Sequence, residues 1–469
     1  MFTDLKPYPD YAKSSVSWLG ARPLHWRLAP GMAVLRLVKA KNSNLAESTV
    51  LSLSYGRIVV KPSDRMHGLV PASFDTYQVL DSGNIVVRPT DLQNDQTSIR
   101  VGIVRDHGII TSAYLGFNVV GDVAPDFAYT YLAALAALDA LKVFYGMGSG
   151  LRQNLELSDF KSLSFLLPPA DEQVAIVKYL GHANARIDRA IAAKRKLIAL
   201  LEEQKQAAIN QAVTRGLDPT VPLKDSGISW LGPIPVHWNV RRAKYLFRDI
   251  DARSETGLEE QLSVSHLTGV TPRRLKNITM FKAASYVGHK TCRAGDLVVN
   301  TMWAWMGALG CAREAGLVSP AYNVYRPLQG SGADTEFVGA LFRTPTYIAY
   351  FRSNSTGVRA SRLRFYPDEL LATPVVLPPR DEQAEIVLAI EDLRGRVAAD
   401  LEKVVREIEL LREFRTRLTA DVVTGQLDVR EAAARLPELD LAELVSDVGE
   451  QDEDDLDAEL ADGLEAVDA

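Results

Sequence analysis

Few residues of this chain have the types and spacing that a catalytic site requires. A Glu-x-Lys pattern occurs at Glu203-Gln204-Lys205, and Pro367-Asp368 offers a further carboxylate, which together resemble a nuclease site. The first pattern lies in the middle of a predicted long helix and has no acidic partner at a suitable spacing. We therefore discount a nuclease site.

Cofactor and metal signatures are equally weak. GMGSG (146–150) has the glycine spacing of a cofactor loop, but it follows a predicted helix rather than a strand. The chain contains no phosphate-binding loop, and both Pro-Pro pairs follow leucine, unlike the signature of amino-methyltransferases. His25 and His237 lack further matching ligands, and Cys292 and Cys311 have no paired spacing. We expect no catalytic residue, no metal site, and no cofactor bound by this chain.

Composition indicates an ordinary soluble protein. The 469 residues are 47% hydrophobic and 24% charged, and this length predicts about three domains. The longest apolar run (128–138) is too short to cross a bilayer, and the first residues lack a hydrophobic signal core. We expect a cytoplasmic protein.

Charge is distributed unevenly along the chain. From Glu438 to Ala469 there are fourteen acidic residues and no Lys or Arg, so removing them from the net charge of −6 leaves +8. We predict that residues 429–469 form an acidic, disordered tail. The remaining basic body suits an anionic partner.

The chain contains an internal repeat of about 210 residues. SWLGARPLHW (17–26) returns as SWLGPIPVHW (229–238), with the same spacing of its Trp, Gly, Pro and His residues. Two further pairs follow in the same order: GNIVV (83–87) with GDLVV (295–299), and LPPADEQ (167–173) with LPPRDEQ (377–383). The chain is therefore two copies of one unit, followed by the tail.

Each copy consists of two parts with different sequence patterns. Its first part has short β-rich runs separated by Gly and Pro, which predicts an α/β globule with one helix, near 125–144 in the first copy and 334–351 in the second. The second part, after LPP, predicts one long helix. The expected boundaries are 1–168 and 217–378 for the globules, and 169–216 and 379–428 for the helices.

The long helices have a helical start and a coiled-coil pattern. The acidic pairs Asp171-Glu172 and Asp381-Glu382 lie in the first turn, where carboxylates favour the helix dipole. Apolar residues then recur at steps of three and four over about five heptads. The predicted seam consists of Ile176, Leu180, Ile187, Leu197, Leu201, Ile386, Ile390, Leu393, Val397, Val404 and Leu411.

A helix with such a seam needs a partner, and the repeat supplies two equivalent helices. The sequence predicts an α+β fold in which two α/β globules are separated by two long helices that form an antiparallel coiled coil with pseudo-twofold symmetry. Antiparallel pairing with Asp171 facing Val423 places Lys194 opposite Asp400. We hypothesise that this pair sets the register of the coil.

The repeated SWLG-x-x-P-x-HW, the repeated LPP-x-DEQ and the globule–helix–globule–helix order closely resemble the specificity subunit of type I restriction–modification systems. The resemblance covers essentially the whole chain except the tail. It implies a non-catalytic host-defence protein in which each globule, a target recognition domain, recognises one half of a bipartite double-stranded DNA target.

The resemblance also implies partners. The paired helices would set the gap between the half-sites and bind two methyltransferase subunits, and restriction and motor subunits would join that core. S-adenosylmethionine, ATP and Mg²⁺ are expected on those partner subunits.

DNA-binding residues are predicted from side-chain chemistry, because Lys and Arg contact phosphates while Arg, Asn and Gln suit base edges. Two segments occupy equivalent places before the LPP signals, and a third lies earlier in the second copy. Trp303 and Trp305 could stack on DNA or belong to the core. The candidates are Arg152, Gln153, Asn154, Arg359, Arg362, Arg364, Arg273, Arg274, Lys276 and Arg88.

Two other functions compete with DNA recognition. A coiled-coil scaffold that binds only protein would share the long helices but would show little salt-dependent affinity for DNA. A DNA-modifying enzyme with two fused catalytic domains would need the nucleotide, S-adenosylmethionine or metal signatures that the sequence lacks.

Overall fold

The structure is a computed structural model. It describes residues 5–14, 20–54, 56–61, 73–89, 100–137, 157–276, 285–357 and 363–438. Five of the predicted DNA-binding residues (Arg152, Gln153, Asn154, Arg359 and Arg362) and residues 439–469 of the predicted tail lie outside these ranges. Residues 429–438 were predicted to belong to the disordered tail but are folded: they include a helix at Arg430–Ala434, and Val429 and Ala433 are buried. The chain divides into two compact units: unit 1 comprises Met1–Ala193 and Arg406–Glu450, and unit 2 comprises Lys194–Val405 and Gln451–Ala469. Each unit thus contains one globule and part of each long helix.

The first globule is built from short strands and two helices. Its elements are β1 (Tyr11–Lys13), β2 (Ala21–Pro23), β3 (Arg27–Pro30), β4 (Leu35–Leu37), β5 (Leu51–Ser54), β6 (Arg57–Val60), β7 (Gln78–Leu80), β8 (Ile85–Val87), β9 (Val101–Ile103), β10 (Gly108–Ile110), β11 (Leu115–Val119), α1 (Pro125–Ala137), α2 (Leu157–Ser162) and β12 (Ser164–Leu167). The long helix α3 (Ala170–Arg215) follows.

The second globule repeats this order. Its elements are β13 (Leu223–Asp225), β14 (Pro233–Pro235), β15 (Asn239–Arg242), β16 (Phe247–Ile250), β17 (Leu262–Ser265), β18 (Gly269–Pro272), β19 (Lys290–Cys292), β20 (Leu297–Val299), β21 (Leu309–Cys311), β22 (Gly316–Val318), β23 (Asn323–Pro327), α4 (Thr335–Phe342), α5 (Pro345–Ser353), α6 (Pro367–Ala372) and β24 (Pro374–Leu377). The long helix α7 (Arg380–Val423) and the short α8 (Arg430–Ala434) complete the described chain.

Sheet topology confirms the internal repeat. Unit 1 has an antiparallel sheet of order β4-β11-β8-β9, and unit 2 has the corresponding order β16-β23-β20-β21. Smaller pairs repeat as well: β3 pairs with β12 as β15 pairs with β24. Each of these pairs joins the start of a globule to the strand that precedes its long helix, so the globule is closed where the helix begins.

The quoted GNIVV and GDLVV segments are the central strands β8 and β20, which are buried on both faces. In β8, Ile85 and Val87 face the core that contains α1, whereas Val86 faces a second cluster with Leu80 and Val104. Alternation of side chains along a strand explains this division. The near-continuous apolar run is therefore a strand covered from both sides.

The predicted helix at 334–351 is two helices. The helical conformation is interrupted between α4 and α5 at Thr344, which has φ −74° and ψ 151°. Pro345 follows, and a residue before proline is disfavoured in the α conformation, so the first helix must end and a second must begin. Pro345 already indicated this interruption in the sequence, and the prediction of one continuous helix was wrong.

The long helices pair antiparallel within each unit, as predicted. In unit 1, Ile176 and Leu180 near the start of α3 share a core with Leu418 and Val422 near the end of α7. An ion pair between Asp188 and Arg415 lies further along.

In unit 2, Ile209 and Val213 near the end of α3 share a core with Ile386 and Ile390 near the start of α7. Early residues of one helix thus meet late residues of the other in both units.

The seam residues on α7 are buried or half-buried, but α3 departs from the predicted pattern at one position. Leu197 is 39% exposed, whereas Ile191 is 7% exposed and Ile198 is half-buried. The buried residues of α3 form a line along the helix, and this buried line passes from Ile187 to Ile191 in a step of four. It therefore continues through residues 194 and 198, and residue 197 lies beside it. A helix of 3.6 residues per turn drifts from a heptad repeat, and this drift explains the shift.

The proposed register pair remains a prediction. The Asp400 carboxylate forms an ion pair with Lys403 on its own helix at 3.0 Å. Exchanging the charges of both Lys194 and Asp400 should cost less thermal stability than reversing either one alone. Equal losses in all three variants would contradict the hypothesis.

Candidate nucleic-acid interface

The repeated His-Trp pair of each globule binds the glutamate of the following DEQ motif. In unit 1, the Trp26 indole donates to the Glu172 carboxylate at 2.8 Å, and His25 Nε2 lies 2.7 Å from the other carboxylate oxygen. In unit 2, the Trp238 indole donates to Glu382 at 3.0 Å, and His237 Nε2 lies 2.7 Å away from it. In each copy of the repeat, the His-Trp pair is thus joined to the start of the long helix by the same contacts.

These glutamates do more than favour the start of the helix. Both lie in the first helical turn, as predicted, yet their carboxylates are occupied by side chains of the globule. In the described part of the chain, no group of three or more His, Cys, Asp or Glu side chains could hold a metal ion. His25 and His237 each contact the glutamate of the following DEQ motif through Nε2.

The glutamine of each DEQ motif makes a second connection, which sequence reasoning missed. The Gln173 side chain accepts from Ala124 N at 2.8 Å and donates to Asp122 O and Pro168 O, both at 3.0 Å. Gln383 makes the corresponding bonds to Asp334 N, Gly332 O and Pro378 O. The glutamine recurs at the same position of both DEQ motifs, and this repetition is the sequence signal that could have indicated the connection.

Unit 1 adds two groups to this arrangement. The Tyr8 hydroxyl donates to Glu172 at 3.0 Å, and Arg430 of α8 lies 3.3 Å from the same carboxylate and over the Tyr8 ring. Burial, reinforced by Glu172, raises the pKa of Tyr8 above its usual range, so the hydroxyl stays protonated and donates. Hydrogen bonding to Asp428 raises the pKa of Arg430.

The predicted basic segment at 271–276 is placed next to acidic residues. Arg274 forms ion pairs with Glu260 at 3.1 Å and with Glu314 at 3.2 Å, and its hydrogen bonds to Glu314 chiefly raise its pKa. Arg273 donates to the Gln261 side chain at 2.9 Å. The charge of Arg274 is therefore balanced within the protein. Lys276 and Arg88 stay predicted DNA contacts, and the backbone N–H of Arg88 donates to Arg100 O.

The structure brings the segment that contains Arg364 next to the connection that carries Trp303 and Trp305, which is distant from it in the sequence. Thr356 and Arg364 exchange two backbone hydrogen bonds of 3.0 and 2.9 Å, and Phe365 N donates to Thr301 O at 2.9 Å. These bonds hold the segment after α5 against the connection between β20 and β21, which carries Trp303 and Trp305.

The two tryptophans are stacked at this place. Their ring centroids are 5.8 Å apart with an interplanar angle of 16°, and the Arg352 guanidinium lies 5.9 Å from the Trp305 ring centroid. Both rings are half-buried, whereas Arg352 and Arg364 are exposed. We call Trp303, Trp305, Arg352 and Arg364 the tryptophan–arginine surface.

Unit 2 also contains a cavity of about 1070 Å³ bordered by α3, α7 and the β17–β18 hairpin. Arg343 lines it and donates to His266 O at 2.7 Å and Leu267 O at 2.8 Å. Burial, with a smaller contribution from Arg394, lowers the pKa of Arg343 to about 10. The guanidinium remains charged at neutral pH, and backbone carbonyls satisfy it.

Comparison with known proteins rests on structure alone, because no family model and no curated protein matches the sequence. A chain of a solved type I R-M system, described in terms of complex assembly and conformational transition, has a TM-score of 0.62 and 15% identity to this chain. The match covers 87% of this chain and 99% of that one. This chain therefore shares its fold with that chain of a type I R-M system.

Two further solved structures are similar to this chain at lower TM-scores. The HsdS subunit from Thermoanaerobacter tengcongensis has a TM-score of 0.46 at 14% identity over 87% of this chain and 98% of its own. The type I S subunit from M. genitalium has a TM-score of 0.31 at 11% identity over 87% and 97%. None of the helices in the described ranges combines the length and the hydrophobicity that a membrane span requires.

Proposed function

We propose that this chain is the non-catalytic DNA sequence-specificity subunit of a type I restriction–modification complex. The observation that carries the proposal is the repeat: two globules with the same strand order, each joined to a long helix through the same glutamate and glutamine contacts. Each globule recognises one half of a bipartite target, because two similar domains on one chain suit two DNA sites at a fixed separation. The long helices set the gap.

The helices also bind two methyltransferase subunits. Several large apolar side chains on α3 and α7 are exposed, among them Leu388 at 69%, Leu200 at 51% and Leu410 at 47%. Covering these side chains in a complex would remove apolar surface from water, which favours association. The restriction and motor subunits join this core, and S-adenosylmethionine, ATP and Mg²⁺ belong to the partner subunits.

The side chains favour recognition over catalysis. The two cysteines are the strongest potential nucleophiles, but burial raises the pKa of Cys292 to about 11 and that of Cys311 to about 12. Thiols with such values are protonated at neutral pH and are poor nucleophiles. The competing function, a coiled-coil scaffold that does not bind DNA, is distinguished by experiment.

The test of DNA recognition uses the chain together with its methyltransferase partner. Titration with duplex DNA at two salt concentrations should show an affinity that falls steeply as salt rises, because phosphate contacts release counterions. A complex that forms but shows no salt-dependent DNA binding would establish the scaffold function instead.

Sequencing of methylated adenines in a host that carries this chain and its partners tests the bipartite target. We expect a motif of two parts with a fixed gap. Replacing residues 1–160 by the equivalent segment of another specificity subunit should change one part of the motif only. A change in both parts would contradict the assignment of one half-site to each globule.

A further inference from the structure

The tryptophan–arginine surface of unit 2 carries two arginines that have no counter-ion among the described residues. Arg352 at the end of α5 and Arg364 form no ion pair and no side-chain hydrogen bond with any residue that the structure describes, and the Arg352 guanidinium lies near the Trp305 ring. Arg274, in contrast, is paired with two glutamates. Unpaired, exposed guanidiniums are available to an external anion, and their fork of donors fits phosphate oxygens.

Backbone and side-chain hydrogen bonds fix the segment that carries the two tryptophans. Trp303 N donates to Asn300 O at 3.0 Å, and Met306 N and Ala308 N donate back to Trp303 O at 3.0 and 3.1 Å. The buried Asn300 side chain donates to the Tyr322 hydroxyl at 3.1 Å and accepts from Met302 N at 3.1 Å. The rings therefore lose little conformational entropy on binding.

The indole N–H groups of Trp303 and Trp305 differ in their hydrogen bonding. Trp305 Nε1 donates to Met302 O at 2.8 Å, which fixes that ring. Trp303 Nε1 has no acceptor among the residues that the structure describes, and it is not one of the buried polar atoms that lack a partner. A half-buried ring with an open N–H, beside exposed arginines, offers a flat apolar face and one donor to a ligand that has phosphate and ring groups.

We propose that this surface is where unit 2 contacts duplex DNA. Arg352 and Arg364 bind backbone phosphates, and the Trp303 ring packs against the sugar and base of one nucleotide. This inference rests on the proposed function and adds the location and chemistry of the contact. It also predicts that the segment with Arg273 and Arg274 is not the main phosphate contact, because Glu260 and Glu314 already balance the charge of Arg274.

The experiment uses the purified complex of the full-length chain with its methyltransferase partner and a fluorescein-labelled 40-base-pair duplex of mixed sequence, titrated at several salt concentrations. The double variant Arg352→Gln/Arg364→Gln should weaken binding at least tenfold. It should also reduce the slope of log affinity against log salt by about two, since each phosphate contact contributes about one. The control Arg396→Gln, an exposed arginine of α7 paired with Asp392, removes a charge elsewhere and should leave the slope unchanged.

The tryptophan is tested separately. Trp303→Ala should weaken binding about tenfold without changing the salt slope, because apolar packing of the ring against a nucleotide is not ionic. Trp303→Phe keeps a ring and should lose less than about threefold. Equal melting temperatures for all variants show that each one folds.

Three outcomes separate the proposals. If the wild type binds with steep salt dependence but the double arginine variant behaves like Arg396→Gln, this surface is not the contact and the inference is overturned. If the variants instead lose only their methyltransferase partner, the surface binds protein and the inference also fails. If the wild type does not bind DNA at all, the proposed function itself falls.

Discussion

Glu172 and Glu382 occupy the same position in the two repeats but have different surroundings. The Glu172 side chain is 3% exposed and is contacted by Tyr8, Trp26, His25 and Arg430, whereas Glu382 is 24% exposed and is contacted by His237 and Trp238. A buried carboxylate with several donors is costly to neutralise, because each donor then loses a charged acceptor.

We therefore expect Glu172→Gln to destabilise unit 1 by about 2–3 kcal/mol and Glu382→Gln to destabilise unit 2 by about 1 kcal/mol. Calorimetry of the full-length variants measures this difference as a larger fall in Tm for Glu172→Gln. Equal shifts for the two variants would show that the additional donors of unit 1 contribute nothing. Asp171→Asn, which changes an exposed neighbour of Glu172, is the matched control.

At the scale of elements, the register of α3 decides which apolar residues matter. Ile187 is 2% exposed and lies on the buried line, whereas Leu197 is 39% exposed and lies beside it. Truncating a buried aliphatic side chain removes its packing and leaves a cavity, while truncating an exposed one removes little.

Ile187→Ala should thus lower the free energy of unfolding by about 2–4 kcal/mol, and Leu197→Ala by less than about 1 kcal/mol. Denaturant unfolding followed by circular dichroism provides the comparison. A larger loss for Leu197→Ala would restore the heptad register that the sequence predicted.

A second element-scale feature connects β21, α4 and α7 within unit 2. Arg313, which follows β21, pairs with Glu336 of α4 at 3.0 Å and with Glu391 of α7. The hydrogen bond from Arg313 chiefly lowers the pKa of Glu391. A carboxyl whose pKa is lower in the folded state stabilises the fold above its unfolded pKa, and this stabilisation is lost as pH falls through the folded value.

Arg313→Gln should consequently lower Tm at pH 7 and have progressively less effect as pH falls from about 5 to about 3. Thermal scans of both proteins across this range give the difference in Tm at each pH. The stability difference would stay constant with pH if the ion pair had no role.

For the whole molecule, charge is divided between the body and the C-terminal segment. Residues 439–469 contain thirteen acidic residues and no Lys or Arg, so without them the net charge changes from −6 to +7. The described chain ends at Glu438, whose carboxylate pairs with Lys178 at 2.8 Å. The acidic segment lowers the positive potential that attracts DNA.

Ending the chain after Glu438 should accordingly raise the affinity for mixed-sequence duplex DNA about tenfold at low salt, and the gain should vanish at high salt. A chain of full length with the thirteen acids changed to Asn and Gln should behave like the truncated one. If only the truncation raises affinity, length rather than charge is responsible.

The sequence alone determined the repeat, the order of globules and long helices, and the faces of the core. These features depend on periodicity and on residues close together in the chain, such as the apolar run of β8 and the three-and-four steps of α7. Even the break between α4 and α5 was encoded locally by Pro345. Local preference therefore accounts for most elements and their type.

Only the tertiary structure decided which distant side chains meet. Glu172 lies 146 residues from Trp26, Arg274 lies 40 residues from Glu314, and the Phe365–Thr301 bond brings Arg364 to the two tryptophans. No spacing rule predicts such contacts, because they depend on how strands pair and turns close. The same residue type has two acidic partners at Arg274 and none among the described residues at Arg352, and packing makes that difference.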